Sequence, residues 1–127
     1  MSEARYEGFV PGRHILDAVG NGGFRFADMS HRGSILILPT GIYAWSVQSA
    51  QDLTASSFDA LFKEAKDIDL VLIGTGINPA YLDEAIRWRF RELKIGVDPM
   101  TTTAAARTYN VLINEGRRVA AALIAID

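Results

Sequence analysis

The stretch Asp69-Leu70-Val71-Leu72-Ile73-Gly74-Thr75-Gly76-Ile77-Asn78-Pro79 constrains the chain most. Leu70 to Ile73 is an unbroken apolar run, which suits a strand covered on both faces, as parallel strands in α/β proteins are. Gly74 and Gly76 then permit a sharp turn and a close approach by another group. Asn78 is a preferred helix N-cap, Pro79 suits the first helical position, and Ile77 can fold back on Leu82 as a hydrophobic staple. The pattern therefore predicts a buried strand passing through a glycine turn into a helix.

The surroundings of this strand give the fold class. Residues 1–12 read as an irregular segment, with Tyr6 and Phe9 available to pack on the body. Gly20-Asn21-Gly22-Gly23 separates Arg13–Val19 from Phe24–Ala27 and predicts a tight antiparallel hairpin. Pro39-Thr40-Gly41 separates a second strand pair, Ser34–Leu38 and Ile42–Val47. A short amphipathic helix follows over 57–66, with Ser56 and Asp59 at capping-box spacing and Phe58, Leu61, Phe62 and Ala65 as its stripe. After the central strand come a helix from Pro79 to Leu93, a strand Ile95–Val97, a helix from Thr102 to Glu115 closed by Gly116, and a strand Arg118–Ile126. A β-rich first half followed by αβαβαβ predicts one α/β domain over residues 1–127: three layers around a mixed, largely parallel central sheet.

Length and composition set the limits on chemistry. A chain of 127 residues can bury roughly two-thirds of the surface its unfolded form exposes, so it needs no disulfide or metal to fold. It has no cysteine, which excludes thiol catalysis and cysteine-ligated zinc, and His14 and His31 cannot form a zinc site alone. The net charge of −2 gives no general attraction to nucleic acid or anionic membrane. Val119–Ile126 is far shorter than the roughly 20 apolar residues of a membrane span, and the first residues carry neither a secretory apolar core nor a transit-peptide composition. These features give the expectation of a cytoplasmic protein with no cofactor.

Two turns carry the candidate chemistry. Gly74 to Asn78 and Asp98-Pro99-Met100-Thr101-Thr102-Thr103 each follow a strand and open a helix, where unpaired N–H groups favour an anion. If their strands are neighbours, Gly74, Thr75, Gly76, Asn78, Asp98, Thr101 and Thr102 could hold a carboxylate or phosphate; the same residues would also serve simply to turn the chain and cap helices. Arg89 falls within the apolar stripe Leu82, Ile86, Phe90 and Leu93, so it either pairs with Asp69 or Asp98 or joins the anion site. A dinucleotide fingerprint fails because Pro79 stands at its third glycine and the acidic residue expected downstream is at best Glu92. A P-loop and a nucleophile elbow are missing, and neither histidine has a visible catalytic partner. No residue is assigned a catalytic or metal-binding role.

The outer surfaces of the two long helices are the other candidates. Arg87, Arg91 and Lys94 lie beside Trp88, but Asp83, Glu84 and Glu92 dilute their field and disfavour nucleic acid. Tyr81 and Trp88 form a flank on the first helix, while Ala104, Ala105, Thr108, Tyr109, Val111 and Leu112 spread over an arc of the second wide enough to meet more than one neighbour. Tyr81, Trp88 and Tyr109 are therefore candidate contacts with a protein partner.

Several strings together resemble a known family: Leu72-Ile73-Gly74-Thr75-Gly76, Asp98-Pro99-Met100-Thr101-Thr102, Ala105–Leu112, Glu115–Leu123, Phe24-Arg25-Phe26 and Gly33–Ile37. The family is the uncharacterised domain family that includes a mitochondrial assembly factor of respiratory complex I, the adipogenesis-associated domain protein of animals and many bacterial hypothetical proteins. The resemblance implies an α/β domain with a mixed sheet and, for the mitochondrial member, a role in protein assembly; it brings no catalytic residues. Because no targeting presequence is visible here, it implies a bacterial cytoplasmic relative. The expected function is a non-enzymatic binding or assembly module acting through protein contacts. The alternative is a small-molecule enzyme or carrier with an anionic ligand at the two turns.

Overall fold

The computed structural model describes residues 8–127. Its chain runs β1 (Phe9–Pro11), β2 (Ala18–Gly20), β3 (Gly23–Phe26), β4 (Met29–Arg32), β5 (Ser34–Leu38), β6 (Gly41–Trp45), α1 (Asp59–Phe62), β7 (Leu70–Gly74), α2 (Glu84–Glu92), β8 (Gly96–Met100), α3 (Thr102–Asn114) and β9 (Val119–Leu123). Six strands form one mixed sheet in the order β1-β6-β5-β9-β7-β8, and β2-β3-β4 form a second sheet.

The expected parallel character holds only around β7, which runs parallel to both β8 and β9. The β1–β6, β5–β6 and β5–β9 ladders are antiparallel, which corrects the reading of a largely parallel sheet. The cause is the length of the connections. Leu38 pairs with Gly41 across a two-residue turn, which can return the chain only antiparallel. Long crossovers through α2 and α3 are available only after residue 70.

Alternation along the strands places a core on each face of the large sheet. Leu36, Leu38, Val71, Ile73, Ala120 and Ala122 meet Phe58, Leu61, Ile86 and Phe90 on one side. On the other, Ile35, Ile37, Leu72, Ala121 and Leu123 meet Ala105, Ala106 and Tyr109 of α3 together with Phe24 and Phe26 of the small sheet. Successive residues of each strand thus serve opposite cores, as the period of two requires.

Other differences from the sequence reading are local. Residues 9–11, expected to be irregular, form edge strand β1, where Phe9 stacks 4.6 Å from Tyr43 and Pro11 is tolerated at an edge; Tyr6 lies outside the described residues. The Asn21-Gly22 hairpin turn forms as expected, with positive φ at both residues, but β4 was not anticipated. Its turn is Ala27-Asp28, which adopts φ of 52° and 60° without a glycine to announce it.

The helix expected over 57–66 is broken into a 3-10 turn at Ala55–Phe58, α1, and a second 3-10 turn at Ala65–Asp67. The Ser57 carbonyl, which a continuous helix would need, accepts from the Trp45 indole at 2.9 Å. Helix α2 likewise starts at Glu84 rather than Pro79. The Asn78 carbonyl accepts the Thr75 hydroxyl, and the helix opens instead on the Asp83 carbonyl, which accepts from Ile86 and Arg87. Helix α3 and its Gly116 cap form as expected; Gly116 and Arg117 donate to Ile113 and Leu112 in the Schellman pattern.

Candidate functional site

The two turns meet at one rim. Gly74 pairs with Met100 at the end of β8 and with Leu123 in β9, so the end of β7 and the start of α3 are adjacent. A Cβ at Gly74 would stand 2.8 Å from Thr102 Cα, and this close approach is what glycine allows there. The polar groups at the rim are joined to one another. Gly76 N–H donates to Thr102 Oγ1 at 3.0 Å, and that hydroxyl donates to the Ile124 carbonyl at 2.7 Å. Thr102 N–H donates to the Gly76 carbonyl and Thr75 N–H to the Met100 carbonyl, both at 2.9 Å. The Thr75 hydroxyl lies 2.8 Å from the Asn78 carbonyl and 3.1 Å from that of Met100. Thr101 accepts from Ala104 N–H at 3.3 Å and so caps α3.

With Thr75 and Thr102 buried, the rim is a staple between β7, β8, β9 and α3, and the N–H groups of Thr75, Gly76 and Thr102 have acceptors within the chain. Two of the nominated residues stand apart from it. Asp98 belongs to strand β8 and is exposed on that edge strand. Arg89 is half exposed, with its guanidinium 4.9 Å above the Phe62 ring and 3.4 Å from Glu92. Neither Asp69 nor Asp98 is its partner; Asp69 pairs with Arg118 at 3.2 Å.

The loop from Gly76 to Asp83 reaches outward. Leu82 anchors it in the core, while Ile77 is 73%, Tyr81 97% and Trp88 54% exposed. The staple expected between Ile77 and Leu82 is therefore not made, since the helix that would have brought them together begins later. Pro79, Ala80, Tyr81, Arg87 and Pro99 line a concavity of about 320 Å³ beside this patch. Arg91 lies 5.6 Å over the Trp88 ring and 3.9 Å from Glu84. The Arg87 side chain makes no hydrogen bond or ion pair among the described residues.

Tyr109 requires a correction. It is fully buried in the core beneath the small sheet, and its hydroxyl donates to the His14 carbonyl at 2.8 Å, so it offers no surface to a partner. The arc of α3 does meet more than one neighbour, but both are internal: the large sheet and the segment leading into β2. Ile77, expected to fold back on Leu82, is instead exposed; the Asn78-Pro79 dipeptide, itself a turn signal, was the clue to its exposure.

The family described as protein of unknown function (DUF498/DUF598) matches residues 16–124. An uncharacterised protein of Rhodobacter capsulatus is 38% identical over 122 residues, covering 96% of this chain and 90% of that protein. The NADH dehydrogenase (ubiquinone) 1 alpha subcomplex assembly factor 3 of Mus musculus is 32% identical over 109 residues. That match covers 86% of this chain but only 59% of the mouse protein. Among solved structures, a Bartonella henselae protein described as an outer membrane protein superposes with a TM-score of 0.89 at 47% identity, over 92% of this chain and 98% of that one. No helix of the described residues is long and apolar enough to cross a membrane.

Proposed function

The chain belongs to the family described as protein of unknown function (DUF498/DUF598), and on that footing we propose that it is a non-enzymatic assembly module that grips a protein partner through Ile77, Tyr81 and Trp88. The observation that carries the reading is Tyr81, 97% exposed on a loop whose neighbour Leu82 is buried. An aromatic ring held out on an anchored loop loses little conformational freedom on binding, and Tyr and Trp dominate the energetics of protein interfaces. The mouse relative is named for an assembly role, and that role reaches this chain as part of the proposal. We place the module in the cytoplasm, as its cysteine-free sequence permits.

The surroundings indicate how a partner would be held. Strand β8 is an edge, but β8 turns Gly96 and Met100 toward β7, so Pro99 faces outward where an added strand would need an N–H. Docking therefore proceeds through side chains rather than by strand addition. The unpaired Arg87 beside the aromatic patch favours a partner that presents a carboxylate next to apolar groups. The rim at Gly74 and Thr102 offers less to a small anion, because the N–H groups of Thr75, Gly76 and Thr102 already have acceptors.

The test compares the parent chain with a Tyr81→Ala/Trp88→Ala variant as affinity bait under matched conditions. The variant is expected to melt like the parent, since both side chains are exposed, and to recover the parent's partners at least about tenfold less well. Equal recovery by both baits would remove this surface from the function.

A further inference from the structure

The small sheet has an inner and an outer face, and alternation decides which residues take each. Phe24 and Phe26 of β3 and His31 of β4 are buried, whereas Arg25, Ser30 and Arg32 are exposed on the outer face. Arg25 pairs with Ala18 on one side and Ser30 on the other, while Gly23 pairs with Gly20 and Arg32. Arg25 and Arg32 thus occupy diagonal positions on one face, a spacing of roughly 7–8 Å between backbones that long side chains can bridge. Between them is a concavity of about 420 Å³ whose lining contains no Asp or Glu.

The glycines have structural reasons of their own. A Cβ at Gly23 would meet the His31 carbonyl oxygen at 1.9 Å, and Gly22 supplies half of the hairpin turn. Gly20 and Gly23 add no side chains to the lining of the concavity, to which Arg25 and Arg32 both contribute. Arg25 Nη1 donates to Ser30 Oγ at 2.8 Å, using one of the five N–H groups of its guanidinium. Arg32 makes no hydrogen bond or ion pair among the described residues. The chain's last residues do pass this turn, since Gly22 N–H donates to the Ile126 carbonyl, yet Asp127 pairs with neither arginine. In a chain of net charge −2, two like charges on one open face with no carboxylate between them stand against the overall sign.

The geometry points to a binding site for a small oxyanion-bearing ligand, a phosphate or a carboxylate, held by Arg25, Ser30 and Arg32. Guanidinium forks match the oxygen spacing of both groups, and the Ser30 hydroxyl can donate to the ligand while it accepts from Arg25. The volume of about 420 Å³ falls within the range of about 300–1,000 Å³ usual for metabolite sites, which leaves room for a ligand larger than the anion itself. The site lies on a different element from the Tyr81 patch and stands or falls independently of it.

The full chain, labelled with ¹⁵N, is titrated with inorganic phosphate and separately with acetate at constant ionic strength. Saturable amide shifts confined to residues 20–32 are expected with at least one of the two, and the tighter probe tells a phosphoryl ligand from a carboxylate. Arg25→Gln/Arg32→Gln is expected to weaken that binding at least about tenfold, the loss that follows removal of a charge-assisted hydrogen bond, with an unchanged melting temperature. Absence of saturation with either probe, shifts centred on Gly74–Thr102 instead, or parental affinity in the double variant would each overturn the assignment.

Discussion

The rim at Gly74 and the hairpin at Gly22 both bring a glycine-rich turn against a neighbouring element, and they end in opposite states. At the rim, Thr102 fills the space beside Gly74, and its hydroxyl links Gly76 N–H to the Ile124 carbonyl. At the hairpin, Arg32 keeps its side chain uncommitted and Arg25 commits one N–H to Ser30, and the small sheet is tied to the body from below by α3. Asn110 exchanges both of its amide groups with the Leu16 backbone, at 2.8 Å each, and Arg13 donates to the Val119 carbonyl at 3.1 Å. A glycine turn after a strand is thus not in itself a ligand site. What distinguishes the two is whether a buried side chain has already taken the donors the turn exposes.

Thr102→Val tests the closed state most severely. The replacement keeps the shape but leaves Gly76 N–H and the Ile124 carbonyl without their partner, and an unsatisfied buried group costs roughly 1–3 kcal/mol. A loss of about 3 kcal/mol in urea unfolding is expected, with an unchanged denaturant slope. A loss below about 1 kcal/mol would mean that water replaces the hydroxyl, and the rim would then be open to ligands after all.

Asn110→Ala is the corresponding probe of the small sheet, with a smaller effect of about 2 kcal/mol because Asn110 is only partly buried. Its signature is spatial. Hydrogen exchange should quicken over residues 16–32 and stay slow at Gly76 and Thr102, whereas uniform quickening would show that the two sheets unfold as one unit.

What the sequence disclosed follows the range of the forces involved. Strand β7 was legible because burial on both faces leaves an apolar run, and α3 because Thr101, Thr102 and Gly116 signal its ends locally. The Asn21-Gly22 turn was legible for the same reason, whereas β4 was hidden because Ala27 and Asp28 enter the left-handed region without glycine. The starts of α1 and α2 were misplaced because distant or looping partners, Trp45 and Thr75, take the carbonyls that would have begun them. The meeting of the two turns could be anticipated from parallel neighbours, but not that Thr102 would occupy their donors. The burial of Tyr109 depends on the small sheet docking over α3, and the juxtaposition of Arg25 with Arg32 depends on the register of strands three or four residues long.

Tyr109 gives the smallest effect and the sharpest sign. Burial pushes its phenol up from 10.0 to about 12, opposed in part by the charge of Arg13 and a hydrogen bond from it. The folded state therefore holds the proton more tightly than the unfolded state. Stability from this group is complete below about pH 10 and is lost as pH rises toward about 12, because only the unfolded chain ionises in that window. At neutral pH, Tyr109→Phe should cost about 1 kcal/mol, the worth of the hydroxyl's bond to the His14 carbonyl. By about pH 11 the parent should have lost on the order of 1 kcal/mol that the variant, having no phenol, retains, so the two stability curves should converge. The rim has no titratable side chain among Gly74, Thr75, Gly76 and Thr102 and should contribute nothing to that slope. Parallel curves for parent and variant across that range would mean that water reaches Tyr109 beneath the small sheet, and the contact between sheet and helix would be far looser than the staple at the rim.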